Sequence, residues 1–152
     1  GKIGGQLRAE LEQVGLGFKK ELSTLQMARD MGMITMSYCY NVEEAKMIAD
    51  AGIDIIVSHM GLTKGGDVGT TEQSPLDVAA EKSDRILRAA KDINPRIITM
   101  CHGGSITSPE DAAYVMDHSA AVGFVGASSI ERIPTEIAIK QVCKDYLSIK
   151  LK

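Results

Sequence analysis

Short apolar runs alternate along the chain with longer stretches whose apolar positions recur at helical spacing. Residues 19–31 read as a helix, marked by Leu22, Leu25, Gln26 and Arg29 and ended by Gly32. Residues 33–40 (MITMSYCY) read as a buried strand. Asn41 then caps a helix, with Glu44 as capping-box partner, that runs to about Ala51 and stops at Gly52. Residues 53–58 form a second strand, apolar or β-branched almost throughout, as expected of a strand covered on both faces. The polar, glycine-rich stretch 61–74 breaks the rhythm. A helix over about 76–93 follows and is stopped by Asn94-Pro95. Residues 96–101 make a third strand. Ser108-Pro109-Glu110-Asp111 is a helix start with N-cap, proline at the first helical position and acids in the first turn; that helix ends near His118. Residues 122–126 make a fourth strand, and 134 to about 147 the last helix. No element is predicted before residue 19, a glycine-bearing segment that would follow an earlier strand.

Strands alternating with helices imply an α/β fold with a parallel sheet. A doubly wound open sheet and a barrel both satisfy the order. The tight Ala51-to-Ile55 join and the glycines after the last two strands favour a (β/α)8 TIM barrel. A whole barrel needs about 250 residues and eight strands. The chain therefore covers about the last four βα units, as a single domain over 1–152.

Composition narrows the partners. The 152 residues are 44% hydrophobic and 24% charged, with net charge −3, and no basic stripe suits nucleic acid. No stretch approaches the ~18 apolar residues of a membrane span. Cys39, Cys101 and Cys143 are an odd number without CxxC spacing, which fits reduced thiols and a cytoplasmic setting. The start on Gly1, with no Met and no signal-peptide core, leads to the expectation of a trimmed chain, a cleaved tag or a segment of something longer.

Parallel sheets bind ligands at the carboxyl ends of their strands. There the chain places Tyr38 and Tyr40, then His59 and Gly61, then His102, Gly103 and Gly104, then Gly126, Ser128 and Ser129, with Arg132 beyond. His59 and His102 occupy equivalent places, each followed closely by glycine, and are the candidates for acid/base catalysis. A packed, hydrogen-bonded histidine is the bland alternative for each. His118 reads as structural, at a helix C-terminus. Gly103-Gly104, Gly126, Ser128 and Ser129 suit an anion pocket, to which Arg132 adds charge; plain tight turns are the rival. The segment 61–74, with Thr63 near its start, suits a lid that swings Lys64 or Asp67 inward, or else a surface excursion. Cys101 neighbours His102, but adjacent strand residues point to opposite faces, so it reads as buried packing. Arg8 or Glu12 could reach the site from the side. No His, Cys, Asp or Glu cluster has zinc spacing.

The runs AGIDIIVSHMGLTKGG (51–66), INPRIITMCHGGSITSPEDAAYVMD (93–117) and GFVGASSIERIPTEIAI (123–139) resemble the phosphoenolpyruvate hydrolase-like TIM-barrel family. LRAELEQVGLGFKKE (7–21) resembles the segment after that family's fourth strand. The resemblance implies a site around His59, the glycine loop, His102-Gly103-Gly104 and Gly126 to Ser129. It departs at Ser58, Ser105 and Ile130, where similar proteins have Ala, Pro and Met, and in lacking the first four strands. In mutase-like barrels the acidic metal ligands sit on early strands. A divalent cation such as Mg would therefore have no evident ligands in this chain.

The leading expectation is an enzyme, a hydrolase or lyase, acting on a small phosphorylated or carboxylated substrate of enol phosphate type. The rival is a non-catalytic small-anion sensor or protein-interaction domain on the same scaffold. Open sheet edges lead to the expectation of a homo-oligomer. Replacing His102 by Ala is expected to abolish turnover and leave thermal stability nearly unchanged.

Overall fold

The computed structural model describes residues 5–150. The elements run α1 (Gly5–Gln13), α2 (Phe18–Asp30), β1 (Met36–Cys39), α3 (Val42–Asp50), β2 (Ile55–His59), α4 (Leu76–Ile93), β3 (Ile98–His102), α5 (Pro109–Asp117), β4 (Gly123–Phe124) and α6 (Arg132–Leu147). The helix α1 is an addition to the expected order. Its Leu, Arg, Ala, Glu and Gln residues are good helix formers, and the flanking glycines masked them. The strands are shorter than the apolar runs. Met33 and Ile34 lie exposed before β1, because parallel pairing with β2 begins only at Met36 opposite Ile55. The helix α6 starts two residues before the expected Pro134, which is no obstacle in a first turn.

The four strands are parallel and lie in chain order, β1-β2-β3-β4. A doubly wound sheet reverses its strand order partway; this one does not, and α3, α4 and α5 pack side by side against it. The arrangement is half of a (β/α)8 barrel. Register decides what each face carries. Cys39, Ser58, Cys101 and Phe124 align on the helix-covered face, where the first three are fully buried. Ile48, Ile53, Ile56, Ile86, Leu87, Ile97 and Val115 fill the core there, each burial contributing roughly 1.5–3 kcal/mol. On the opposite face, the one a closed barrel turns inward, Met36 and Ile98 remain over 40% exposed near the amino end.

Polar clamps hold the elements in register. Asp54 accepts from both the N–H and the hydroxyl of Thr35 at 2.8 Å, tying the amino ends of β1 and β2. Ser58 and Ser83 hydroxyls meet at 2.6 Å, pinning α4 behind β2. Ser108 with Asp111 closes a full capping box, whereas at α3 only half of the expected box forms: Asn41 Oδ1 accepts from Glu44 N, but the Glu44 carboxylate accepts from Tyr40 N rather than Asn41 N. Gly52, at φ +71°, ends α3 as expected. Among the described residues no helix is long and apolar enough to cross a membrane.

Candidate functional site

Strand alternation builds the site. Tyr38 and Tyr40 are two residues apart on and just after β1, so both point to the inner face. His59 ends β2, His102 ends β3, and their Cα atoms are register partners. The rings consequently gather. His59 and His102 meet edge to face with centroids 4.7 Å apart. Tyr40 stacks on His59 at 4.6 Å, and Tyr38 lies 5.4 Å from His59 and 5.2 Å from His102. Four residues from three strand ends thus form one aromatic cluster, with His102 buried and the other three half-buried.

Each histidine is oriented by the main chain. His102 Nδ1 lies 2.6 Å from the carbonyl oxygen of Val125, just past β4. Gly61 N–H donates to His59 Nδ1 at 3.0 Å. The Tyr40 phenol is pushed up from its ordinary value by burial, then by the negative charge of Glu44 and by Tyr38, so it stays protonated at neutral pH. Behind it lies an ion pair: Arg8 Nη1 meets Glu44 Oε1 at 2.5 Å, while Glu44 Oε2 accepts from Tyr40 N at 2.8 Å. Neither Glu44, read from the sequence only as a capping partner, nor the Val125 carbonyl was expected at this site. A main-chain oxygen leaves no mark in a sequence, and Glu44 reads there as a capping-box partner, a role its carboxylate gives up for Tyr40 N and Arg8.

The burial of His102 corrects one expectation. It is 8% exposed and bonded to Val125, so His102→Ala should cost about 1–3 kcal/mol rather than leave stability unchanged.

The glycines hold the strand ends together. Gly103 has φ +75°, and a Cβ there would stand 2.4 Å from Gly61 O and 3.3 Å from His59 Cε1. Gly104, at φ +63°, donates to Gly61 O at 2.9 Å and accepts from Lys64 N at 2.9 Å. Its N–H is therefore committed to the neighbouring loop and is not offered to an anion. The turn after β4 differs. Among the described residues, the N–H groups of Ala127, Ser128 and Ser129 have no acceptor. The Val125 bond to His102 places this turn next to the histidines.

Arg132 is not part of that turn's donor set. Its guanidinium bonds Glu136 Oε1 at 2.8 Å and Gly65 O at 3.1 Å. Glu136 Oε2 accepts from Asp67 N at 2.8 Å, and Lys140 pairs with the Asp67 carboxylate. The loop 61–74 is thus fastened to α6, with Asp67 engaged there rather than turned to the histidines. Thr63 is buried at the root of that loop. Arg8 reaches the ring cluster only through its pair with Glu44, and Glu12 is engaged elsewhere, its Oε1 accepting from Phe18 N at 2.7 Å. Cys101 is fully buried on the helix side, and burial pushes its thiol up to about 11. His118 Nδ1 lies 2.8 Å from Tyr114 O at the end of α5. Among the described residues, no three His, Cys, Asp or Glu side chains are placed to hold a metal ion. The donors at the ring cluster, imidazoles and phenols without a carboxylate, do not fit a divalent magnesium-type ion.

Residues 1–149 match the family described as phosphoenolpyruvate hydrolase-like. The chain belongs to that family. Over its full length it is 42% identical to the ToMV susceptible protein tm-1(GCR26) of Solanum lycopersicum and 41% identical to the ToMV resistance protein Tm-1(GCR237) of the same plant. This family member spans only 20% of the length of those relatives. Among solved structures it is similar to an N-acetylmannosamine-6-phosphate 2-epimerase from Clostridium perfringens, with TM-score 0.53 at 17% identity, over 82% of this chain and 48% of that one. That likeness to half of a TIM-barrel enzyme agrees with the half-barrel read from the strand order.

Proposed function

We propose that residues 1–152 are the catalytic later part of a TIM-barrel enzyme. Its substrate is a small phosphorylated or carboxylated molecule of enol phosphate type, and it works by acid/base chemistry at His59 and His102. One observation carries the reading: two histidines from neighbouring strand ends meet at 4.7 Å between two tyrosines, on the edge where this fold places its sites. Imidazole exchanges protons near neutral pH, and the protonated Tyr40 phenol is a hydrogen-bond donor to a substrate oxygen. The N–H groups of Ala127, Ser128 and Ser129, with the two hydroxyls, suit the carboxylate or phosphate. Gly126 itself is packed against the Ile130 side chain, which takes the space a Cβ would fill, so its part is to let the turn fold closely rather than to admit the anion. Tyr38 and Tyr40 flank the histidines, Gly61 and Gly103 pack against His59, and Thr63 is buried at the loop's root. Gly104 and Arg132 support the site indirectly, through the loop.

The test is a titration of the natural full-length protein with phosphoenolpyruvate, following heat and released phosphate together. Turnover that is lost in His102→Gln supports the enzyme. Heat without phosphate release sinks it in favour of an anion sensor.

A second reading has its own support. The curated relatives are named for susceptibility and resistance to a virus, and α6 has no buried residue while exposing Ile137, Ile139 and Val142. An interaction domain on the same scaffold would keep the anion pocket and need no base.

A further inference from the structure

The pair formed by Arg8 and Glu44 meets the ring cluster at one residue, Tyr40. Glu44 is 3% exposed in the first turn of α3, and a buried carboxylate needs charge and hydrogen bonds brought to it. Arg8 Nη1 meets Oε1 at 2.5 Å, and Tyr40 N–H donates to Oε2 at 2.8 Å. Arg8 comes from α1, ahead of β1, and Tyr40 is the first residue after β1. Arg8 is itself held in place. Its guanidinium lies 5.5 Å from the centroid of the Phe18 ring, and Phe18 belongs to the core. Phe18 N–H donates in turn to Glu12 on α1. The helix α1 is thus fastened to the start of α2, with Arg8 between a core aromatic and the Glu44 carboxylate.

Capping alone does not call for this arrangement. In a capping box the Glu44 carboxylate would return to Asn41 N. It passes Asn41 and takes Tyr40 N instead, while Asn41 Oδ1 still caps α3 at Glu44 N. The main chain is therefore held on both sides of Tyr40 and at Tyr40 itself: Cys39 is in register with Ser58, and Asn41 is the N-cap. The side chain leaves from a fixed point, and its ring lies on His59 with centroids 4.6 Å apart and planes 24° from parallel.

Resting on the acid/base reading above, we infer that Arg8 and Glu44 are positioning residues of the site. Acting through the main chain of Tyr40, they hold the Tyr40 ring on His59, so α1 belongs to the site. The charge of Glu44 has a second effect in the same direction. After burial, it is the next cause that holds the Tyr40 phenol above its ordinary value, which keeps the phenol proton available to a substrate oxygen.

Three variants test the inference. Arg8→Ala removes the guanidinium, and Arg8→Lys keeps a cation on a flexible stem. Removing Arg8 takes a cation from a buried carboxylate, so Arg8→Met with Glu44→Leu is made beside it, an apolar replacement of the whole pair that spares the fold that cost. The first readout is carbon–proton NMR of the histidine rings in the natural full-length protein. Loss of a signal in His59→Gln identifies His59, and Tyr40→Leu marks where that signal lies without the stacked ring. Arg8→Ala and the double variant should move His59 toward the Tyr40→Leu position, and Arg8→Lys should return it toward wild type. His118, stacked on Tyr114 at 4.1 Å beside the end of α5, should stay in place in all three. A His59 signal unmoved in both Arg8→Ala and the double variant overturns the inference, and so does a His118 signal that moves as far as His59. The second readout is phosphate release from phosphoenolpyruvate. In Arg8→Ala kcat should fall about 10- to 100-fold, the effect of a misplaced group at the reacting centre, with KM changed less and Arg8→Lys restoring most of the loss. Equal kcat in wild type and Arg8→Ala overturns the positioning role. Failure of the acid/base reading would appear separately, as no phosphate release by the wild type while the His59 signal still responds to Arg8.

Discussion

Substituting Gly103 by Ala tests the packing that sets His59 in place. Gly103 has φ +75°, a backbone state that costs an L-residue roughly 1–2 kcal/mol. The added methyl would also stand 2.4 Å from Gly61 O and 3.4 Å from His59 Nδ1. The first of these atoms is main chain and cannot swing aside, so one strand end must move. Overpacking of this kind costs about 1–3 kcal/mol. Gly32 provides the control, with φ +86° and nothing within 4 Å of where its added methyl would stand. Gly32→Ala bears only the backbone cost, and the loss of unfolded-chain entropy is the same at both sites. Gly103→Ala should therefore be less stable than Gly32→Ala by about 1–3 kcal/mol. Urea unfolding curves with equal slopes give the difference from their midpoints. The Gly61-to-His59 bond should weaken as well, visible as a shift of the His59 nitrogen resonances. If the two variants lose equal stability, within about 0.5 kcal/mol, the close approach at Gly103 is not a constraint.

The cysteines should differ sharply in reactivity. With its thiol at about 11, Cys101 is about one part in a thousand thiolate at pH 8, while Cys143 is exposed. A thiol reagent should modify Cys143 rapidly and Cys101 only on unfolding, as read by peptide mass; rapid native labelling of Cys101 would contradict its burial. Asp111 carries a pH-dependent part of the stability. Burial raises its carboxyl, but hydrogen bonds from Thr107 and Ser108 outweigh that and leave it below the ordinary 3.8. A lowered folded value means the stabilisation is full above 3.8 and fades as pH falls through the folded value. Asp111→Asn should accordingly cost about 1 kcal/mol near neutral pH, the typical worth of a helix cap, with the two stability curves converging at the acid end. Parallel curves at all pH values would show that the charge contributes nothing.

Much of this molecule is legible in one dimension because the interactions responsible are local. The helix α4 runs over Leu76–Ile93, matching the periodicity, because its apolar stripe and the Asn94-Pro95 stop lie within the segment itself. The N-caps at Asn41 and Ser108 were realised for the same reason, while the reciprocal half of the box expected at Glu44 was not. The placement of Tyr38, Tyr40, His59 and His102 at strand ends followed from alternation and the parallel order. Strand ends were less legible, since a strand extends only as far as its neighbour pairs with it: β4 shrinks to Gly123–Phe124.

Long-range geometry accounts for the remainder. Arg132 looked like an anion ligand from its position after β4, yet it is drawn to Glu136 and to Gly65, 67 residues away. The glycines after His102 looked like an anion cradle, yet Gly104 commits its N–H to Gly61. Residue order determines that two histidines end neighbouring strands. It does not determine which nitrogen of each ring bears the proton, because that depends on the carbonyl of Val125 and the N–H of Gly61. Every residue type but proline presents those same main-chain groups, and only folding brings a particular one to a particular ring.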